Sequence, residues 1–104
     1  MKTDIREQVI REQVLNLIPK KREDAITSKE LMNFTGLSFR HLKQIISELR
    51  MTYPICSKET DGGGYWLAED ERDIKEFILM ISRRRDGYNK TIAIMENHIN
   101  DEVN

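Results

Sequence analysis

The chain has 104 residues, of which 38% are apolar and 34% charged, and these values predict one soluble, helix-rich domain. No apolar run approaches the roughly 20 residues of a membrane-spanning helix, and the start MKTDIREQ lacks the apolar stretch of a signal peptide. The single cysteine excludes an internal disulfide. We therefore expect a cytoplasmic protein. With 17 basic and 18 acidic residues the net charge is −1, and nucleic-acid binding would depend on local charge.

The first predicted helix lies in DIREQVIREQVLNLIP. Its apolar residues recur in steps of three and four, which predicts one buried face; they are Ile5, Val9, Ile10, Val14, Leu17 and Ile18. Asp4 is the predicted N-cap, and Pro19 ends the helix near Ile18. The charged segment KKRED that follows is typical of a solvated connector.

Capping signals delimit a short second helix. Ile26 is predicted to be extended, Thr27 or Ser28 to be the N-cap, and Glu30 to complete a capping box. Gly36 ends the helix, in a left-handed conformation that glycine adopts at low cost. The predicted inward face consists of Leu31, Met32 and Phe34.

A third helix follows the turn. Leu37 is predicted to point inward, and Ser38 to cap a helix that runs to about Arg50. Apolar residues at helical spacing predict its buried face, which consists of Leu42, Ile45, Ile46 and Leu49.

The next segment has the features of a β-hairpin. Residues 53–57 and 65–68 are rich in strand-forming side chains, and KETDGGG between them supplies the turn. Pro54 predicts that the first strand lies at an edge. Trp66 is predicted to pack on the third helix, although Tyr65 and Leu67 share the other face and the alternation leaves the inward side open.

One long helical pattern fills the rest of the chain, with Asp70 as its predicted cap. Its apolar positions alternate in steps of four and three, which is a heptad seam with one charged interruption; they are Ile74, Ile78, Ile81, Arg85, Tyr88, Ile92, Met95 and Ile99. Gly87 costs ~1 kcal/mol relative to alanine. We favour one helix, straight or bent, over a break at this glycine.

The end of the seam needs a covering partner. It can fold back on the first helix or pair with the same helix of a second chain, and the small domain favours a homodimer. The predicted dimerisation residues are Tyr88, Ile92, Met95 and Ile99. Residues 82–104 are therefore interpreted as a C-terminal helix extension that follows a domain of residues 1–81.

The order of these elements points to a family. In ITSKELMNFTGLSFRHLKQIISELR, two helices flank a turn that contains glycine, and YPICSKETDGGGYWLA supplies the hairpin. Residues 5–81 resemble the winged helix-turn-helix proteins, most of all small ones encoded by phages and prophages of Gram-positive bacteria. The resemblance implies a mainly α, α+β fold with a three-helix core, a two-stranded wing and a long C-terminal helix. Such a fold does not by itself establish function.

In that family the helix after the turn enters the major groove of DNA. The resemblance implies a DNA-binding set of Ser38, Phe39, Arg40, His41, Lys43, Gln44, Ser47, Arg50 and, in the wing, Lys58. Arg40 suits guanine and Gln44 suits adenine, whereas Lys43 and Arg50 suit phosphates. Three cations against Glu48 give residues 38–50 a local charge of +2. An ordinary solvated helix surface is the alternative interpretation.

Other features limit the hypothesis. Glu59 and Asp61 stand near Lys58 and would repel phosphate, so strong contact by the wing is not expected. His41 and His98 are far apart and have no cysteine or acid at metal-ligand spacing. We therefore predict that the protein is not an enzyme and needs no metal or cofactor.

Two functional hypotheses follow. The first is sequence-specific binding of double-stranded DNA, as a phage-type transcriptional regulator or a replication-origin binder, by a homodimer on half-sites about 34 Å apart or a multiple of that distance. The second is a winged-helix interaction module that docks on a host replication or transcription protein without binding DNA. An exposed Phe39 could anchor such a partner or contact a thymine methyl group.

Overall fold

The computed structural model describes residues 5–59 and 62–103. The chain forms helices α1 (Ile5–Leu17), α2 (Ser28–Thr35) and α3 (Phe39–Leu49), strands β1 (Ile55–Lys58) and β2 (Gly64–Leu67), and helix α4 (Glu71–Val103), with a short 3-10 helix at Arg22–Asp24. These elements confirm the predicted three-helix core, two-stranded hairpin and long C-terminal helix. Asp4, the predicted N-cap of α1, and Asp61 of the wing lie outside the described residues.

The chain divides into two compact units, one that ends at Ile74 and one that begins at Lys75. The first contains α1, α2, α3, the hairpin and the first turn of α4, and the second contains the rest of α4. The functional division predicted after residue 81 stays a prediction. In the described ranges, no helix is both long and apolar enough to cross a membrane.

The first unit has one apolar core, to which α1, α2, α3 and the hairpin all contribute. Its buried members are Val14, Ile18, Leu31, Leu42, Ile45, Ile46, Leu49, Ile55 and Tyr65. All four residues predicted for the buried face of α3 are among them. Leu37, which follows the turn, packs partly buried against this cluster, as predicted.

Helix α1 contacts this core from Ile10 onward. Val14 and Ile18 are buried and Ile10 is partly buried against them. Ile5 and Val9 are exposed, so the prediction that they belong to the buried face is wrong. The helical period identified the correct side of α1 but not how far along the helix the core extends.

Local hydrogen bonds define both ends of α2. The Thr27 hydroxyl accepts from the Glu30 N–H at 3.1 Å, and the Glu30 carboxylate accepts from the Thr27 N–H at 3.1 Å, which confirms the capping box. Gly36 closes the helix with φ +75°, and its N–H donates to the Met32 carbonyl at 2.8 Å. Phe34 is exposed rather than inward, so that prediction is wrong.

The hairpin is antiparallel and is joined by one residue from earlier in the chain. Its register pairs Cys56 with Trp66 and Ser57 with Tyr65. Ile26 exchanges two backbone hydrogen bonds with Tyr65, at 3.0 and 2.8 Å, and this confirms that Ile26 is an extended residue that pairs. Strand β2 therefore lies between Ile26 and β1, and β1 is the edge strand that was predicted.

Both faces of β2 are covered. Tyr65 belongs to the core shared with the helices. Trp66 points to the opposite face, where its indole N–H donates to the Asp73 carboxylate at 3.4 Å and the Arg22 guanidinium lies 5.7 Å from its ring centroid. The prediction that Trp66 packs on α3 is therefore wrong, because Tyr65 occupies that position.

Helix α4 is continuous through Gly87, which confirms the one-helix interpretation. The four predicted dimerisation residues on it have exposed side chains; they are Tyr88, Ile92, Met95 and Ile99.

Candidate nucleic-acid interface

The outward face of α3 is set by how the helix begins and what it buries. The Ser38 hydroxyl accepts from the His41 N–H at 3.1 Å and so caps the helix. Successive residues are about 100° apart around a helix. The face opposite the four buried residues is therefore centred on Arg40 and Ser47, with Lys43 and Gln44 on either side. All four of these side chains are exposed.

Arg40 is the side chain at the centre of this face that is available for a ligand. Within residues 5–59 and 62–103 it has no hydrogen-bond, ion-pair or ring partner. Its guanidinium presents a planar set of donors that can grip two acceptors at once. Ser47 lies about one helical turn beyond Lys43. Its small hydroxyl side chain leaves room for the wall of a nucleic-acid groove.

The edge of α3 next to α1 carries Glu48, the one acidic residue of this helix. Glu48 accepts from two nitrogens of Arg11, at 2.8 Å from Nε and 2.6 Å from Nη2, and from the Gln44 amide at 3.4 Å. The Arg11 hydrogen bond is the main cause that lowers the pKa of Glu48. The negative charge of Glu48 is therefore matched by a cation on α1.

His41 lies on this same edge rather than on the outward face. Its Nε2 is 3.3 Å from a carboxylate oxygen of Glu7 on α1, and both side chains are half-buried. The prediction of an outward His41 is wrong, because a step of about 100° from Arg40 turns the imidazole toward α1. His41 therefore positions α1 against α3 instead of standing ready for a ligand.

The opposite edge of α3 is tied to the hairpin. The Lys43 ammonium lies 3.3 Å from the Tyr65 hydroxyl and 5.4 Å from the centroid of the Phe39 ring. The Tyr65 hydroxyl also lies 3.4 Å from the Ser28 hydroxyl. Tyr65 thus links α2, α3 and the wing, and it holds the Lys43 cation at a fixed place beside the outward face.

Arg50 is used for bracing. Its Nε donates to the Ile55 carbonyl at 2.9 Å, and its guanidinium lies 5.9 Å from the Tyr65 ring centroid. Burial lowers the pKa of Arg50. The predicted phosphate contact by Arg50 stays a prediction, but at least one of its donors serves the junction between α3 and β1.

The wing provides little positive charge. Lys58 ends β1, opposite Gly64, and is half-buried. The neighbouring Glu59 is exposed. The turn of the hairpin therefore offers one cation beside one acid in the part that the structure describes.

Two aromatic side chains stand near the turn between α2 and α3. Phe39 is 52% exposed, as expected, and Phe34 is 64% exposed, which the sequence interpretation missed. A helical wheel with its buried face centred on Leu31, Met32 and Thr35 places Phe34 at the boundary between the buried and the exposed face of α2. The Arg11–Glu48 pair and the Tyr65 link had no local signal, because their partners are 37 and 22 residues apart.

Comparisons of the chain with protein-family models, with curated proteins and with solved structures found no match. Within the described ranges, no group of three or more His, Cys, Asp or Glu residues could hold a metal ion.

Proposed function

We propose that the protein binds double-stranded DNA sequence-specifically, with the outward face of α3 in the major groove. The observation that carries this proposal is Arg40, an exposed arginine without a partner among the described residues. It lies in the first turn of α3, at the centre of the outward face, directly after a tight turn. An unpaired arginine presented by a rigid element is suited to bidentate recognition of guanine.

The neighbouring groups suit the same task. Gln44 can give and accept hydrogen bonds with adenine, after exchange of its 3.4 Å contact with Glu48. Lys43 stands at the edge of the face, where a phosphate would pass, and the free N–H groups in the first turn of α3 favour an anion. In this arrangement Arg40 and Gln44 recognise bases, whereas Lys43 and the region of Ser38 contact the phosphate backbone of the DNA.

We further propose that the protein is a cytoplasmic homodimer without catalytic activity. Its role is that of a phage-type transcriptional regulator or a replication-origin binder. A two-fold dimer would read a pseudo-palindromic site. The resemblance of residues 5–81 to winged helix-turn-helix proteins supports this class, and the order of α2, turn, α3 and hairpin is consistent with it.

The test is a selection from a random duplex pool at moderate salt, followed by titrations with variants. Arg40→Ala should weaken binding to the selected site by ~1–3 kcal/mol and relax the preference at one base position. Arg72→Ala is the matched control, because Arg72 is also exposed and precedes Asp73, which covers the opposite face of the hairpin. Affinity should fall with salt. No enriched site, or equal losses for the two variants, would contradict the proposal.

A second candidate function is docking on a host replication or transcription protein. The exposure of both Phe34 and Phe39 beside the turn favours it, since exposed aromatic side chains often anchor protein interfaces. A complex that survives nuclease treatment and is lost in Phe34→Ser, while Arg40→Ala has no effect on it, would select this function over DNA binding.

A further inference from the structure

The heptad seam of α4 requires a partner for physical reasons. Every residue from 83 to 100 is exposed, including the apolar ones. Gly87 lowers the helix propensity of this part of α4 relative to alanine. Most helical stability in proteins comes from packing of an apolar face, so this part of α4 is expected to pack on another surface.

We propose that α4 pairs with α4 of a second copy in the antiparallel direction, with the two-fold axis between Asp86 and Gly87. The seam is symmetric about this point: Ile74 would meet the partner's Ile99, Ile78 the partner's Met95, Ile81 the partner's Ile92, and Arg85 the partner's Tyr88. This pairing rests on the homodimer of the proposed function but not on DNA binding.

The single charged seam position selects the antiparallel direction. In a parallel, in-register pair, Arg85 would face Arg85 of the partner subunit, and like charges in a seam repel. In the antiparallel pair, Arg85 would lie against the ring of Tyr88 of the partner subunit, a favourable cation–π contact. Arg85 is accessible for this, since its side chain is 66% exposed and its contacts with Asp86 are long, at 3.3 Å.

The flanking charges and the length of the seam select the register. With the axis between residues 86 and 87, Lys75 would flank the partner's Glu96, and the two-fold axis repeats this attraction at the other end. A shift by one heptad toward the C-terminus would leave Ile74 without a seam partner, and the opposite shift would leave Ile99 without one. Only the proposed register pairs every seam residue with another.

Spin labels test the direction of pairing without DNA. Arg83, Lys90 and Asn97 are exposed and lie at heptad spacing on the side of α4 opposite the seam, so each is replaced by cysteine in turn. The buried Cys56 is retained, and wild-type protein treated with the same label is the control for its reaction. At 1.5 Å per residue, the antiparallel pair predicts axial offsets of ~10 Å for labels at 83 and 90 and ~32 Å at 97. A parallel pair predicts the same distance at all three sites.

Matched substitutions test the seam itself. Ile92 is 54% exposed and lies on the seam, whereas Ile94 is 49% exposed and lies off it. In sedimentation equilibrium, Ile92→Glu should raise the dimer dissociation constant by roughly a hundredfold or more, because a charge would be buried, and Ile94→Glu should leave it unchanged. Fluorescence of Trp66, the one tryptophan, checks in both variants that the unit containing α1, α2 and α3 remains folded.

The outcomes separate this proposal from DNA binding. A monomer at all concentrations, equal label distances at the three sites, or equal effects of the two glutamates would overturn the antiparallel dimer. An antiparallel dimer that selects no DNA site would support the pairing and contradict only the proposed function.

Discussion

Replacement of Gly64 by alanine should disturb the junction between the wing and the helices. Gly64 opens β2 with φ +131°, and a Cβ there would lie 2.9 Å from the Ala25 Cβ and 3.1 Å from the Ala25 carbonyl carbon. The strand cannot easily move away, because the next residue, Tyr65, exchanges two hydrogen bonds with Ile26. The clash is therefore with neighbours whose positions are held by the backbone.

Gly36 provides the matched control. It also has a positive φ, of +75°, but a Cβ there would meet nothing within 4 Å. Gly36→Ala should cost only the left-handed conformation, about 1–2 kcal/mol. Gly64→Ala should cost a comparable backbone strain of about 1–3 kcal/mol and a further ~1–3 kcal/mol for overpacking. A domain of this size has a total stability of roughly 5–15 kcal/mol, so both losses are measurable.

Urea unfolding followed by the fluorescence of Trp66, the one tryptophan, measures both changes. Ala25→Gly removes the nearest clashing atom, so in the Gly64→Ala background it should recover about 1 kcal/mol relative to its own effect in the wild type. If Gly64→Ala costs no more than Gly36→Ala, or if Ala25→Gly restores nothing, the close packing of β2 on Ala25 is wrong.

Three further predictions concern local contacts. Thr27→Ala should lower the free energy of unfolding by ~1 kcal/mol through loss of the cap of α2, whereas Lys29→Ala in the same turn should not. Glu48 has a lowered pKa in the folded state, so it stabilises the fold at neutral pH, and this stabilisation is lost as the pH falls below the ordinary value of 4.5. In acid unfolding, the free energy of unfolding of Glu48→Gln should therefore decline less than that of the wild type over this pH range. Burial raises the pKa of the Cys56 thiol, so a thiol reagent should modify it slowly in native buffer and rapidly in urea, and fast native modification would contradict its burial.

Helix α3 could be predicted from the sequence because its signals are local. Ser38 caps it, Gly36 precedes it in the conformation that only glycine favours, and its four apolar residues at helical spacing are all buried. Each of these features depends on residues within one or two turns. The same holds for the capping box of α2 and for the continuity of α4.

The burial of single side chains could not be predicted where it depends on distant elements. Ile5 and Phe34 have the right chemistry for a core but are exposed, since nothing in a helical period indicates whether another element covers that turn. Tyr65 and Trp66 are both buried, on opposite faces of β2, because the helices cover one face and Asp73 and Arg22 contact the other. Alternation along a strand assumes one covered face.

The candidate site shows the same division. The sequence placed Arg40, Lys43 and Gln44 on the outward face, and the structure agrees with their exposure. It could not indicate that Lys43 contacts Tyr65 or that His41 contacts Glu7, since these pairs are far apart in the chain. For these residues of α3 the exposure follows from the helical period, whereas their contact partners follow from the tertiary fold.

A net charge of −1 is compatible with the proposed interface because of these partnerships. Arg11 pairs with Glu48, the one acidic residue of α3, and Arg40 has no ion-pair partner among the described residues. The proposed interface offers few phosphate contacts per subunit. Each neutralised phosphate changes the slope of log binding constant against log salt concentration by only about 0.9. One subunit alone should therefore bind weakly. A dimer would double the contacts on one DNA molecule, which gives the seam of α4 a direct role in the proposed function.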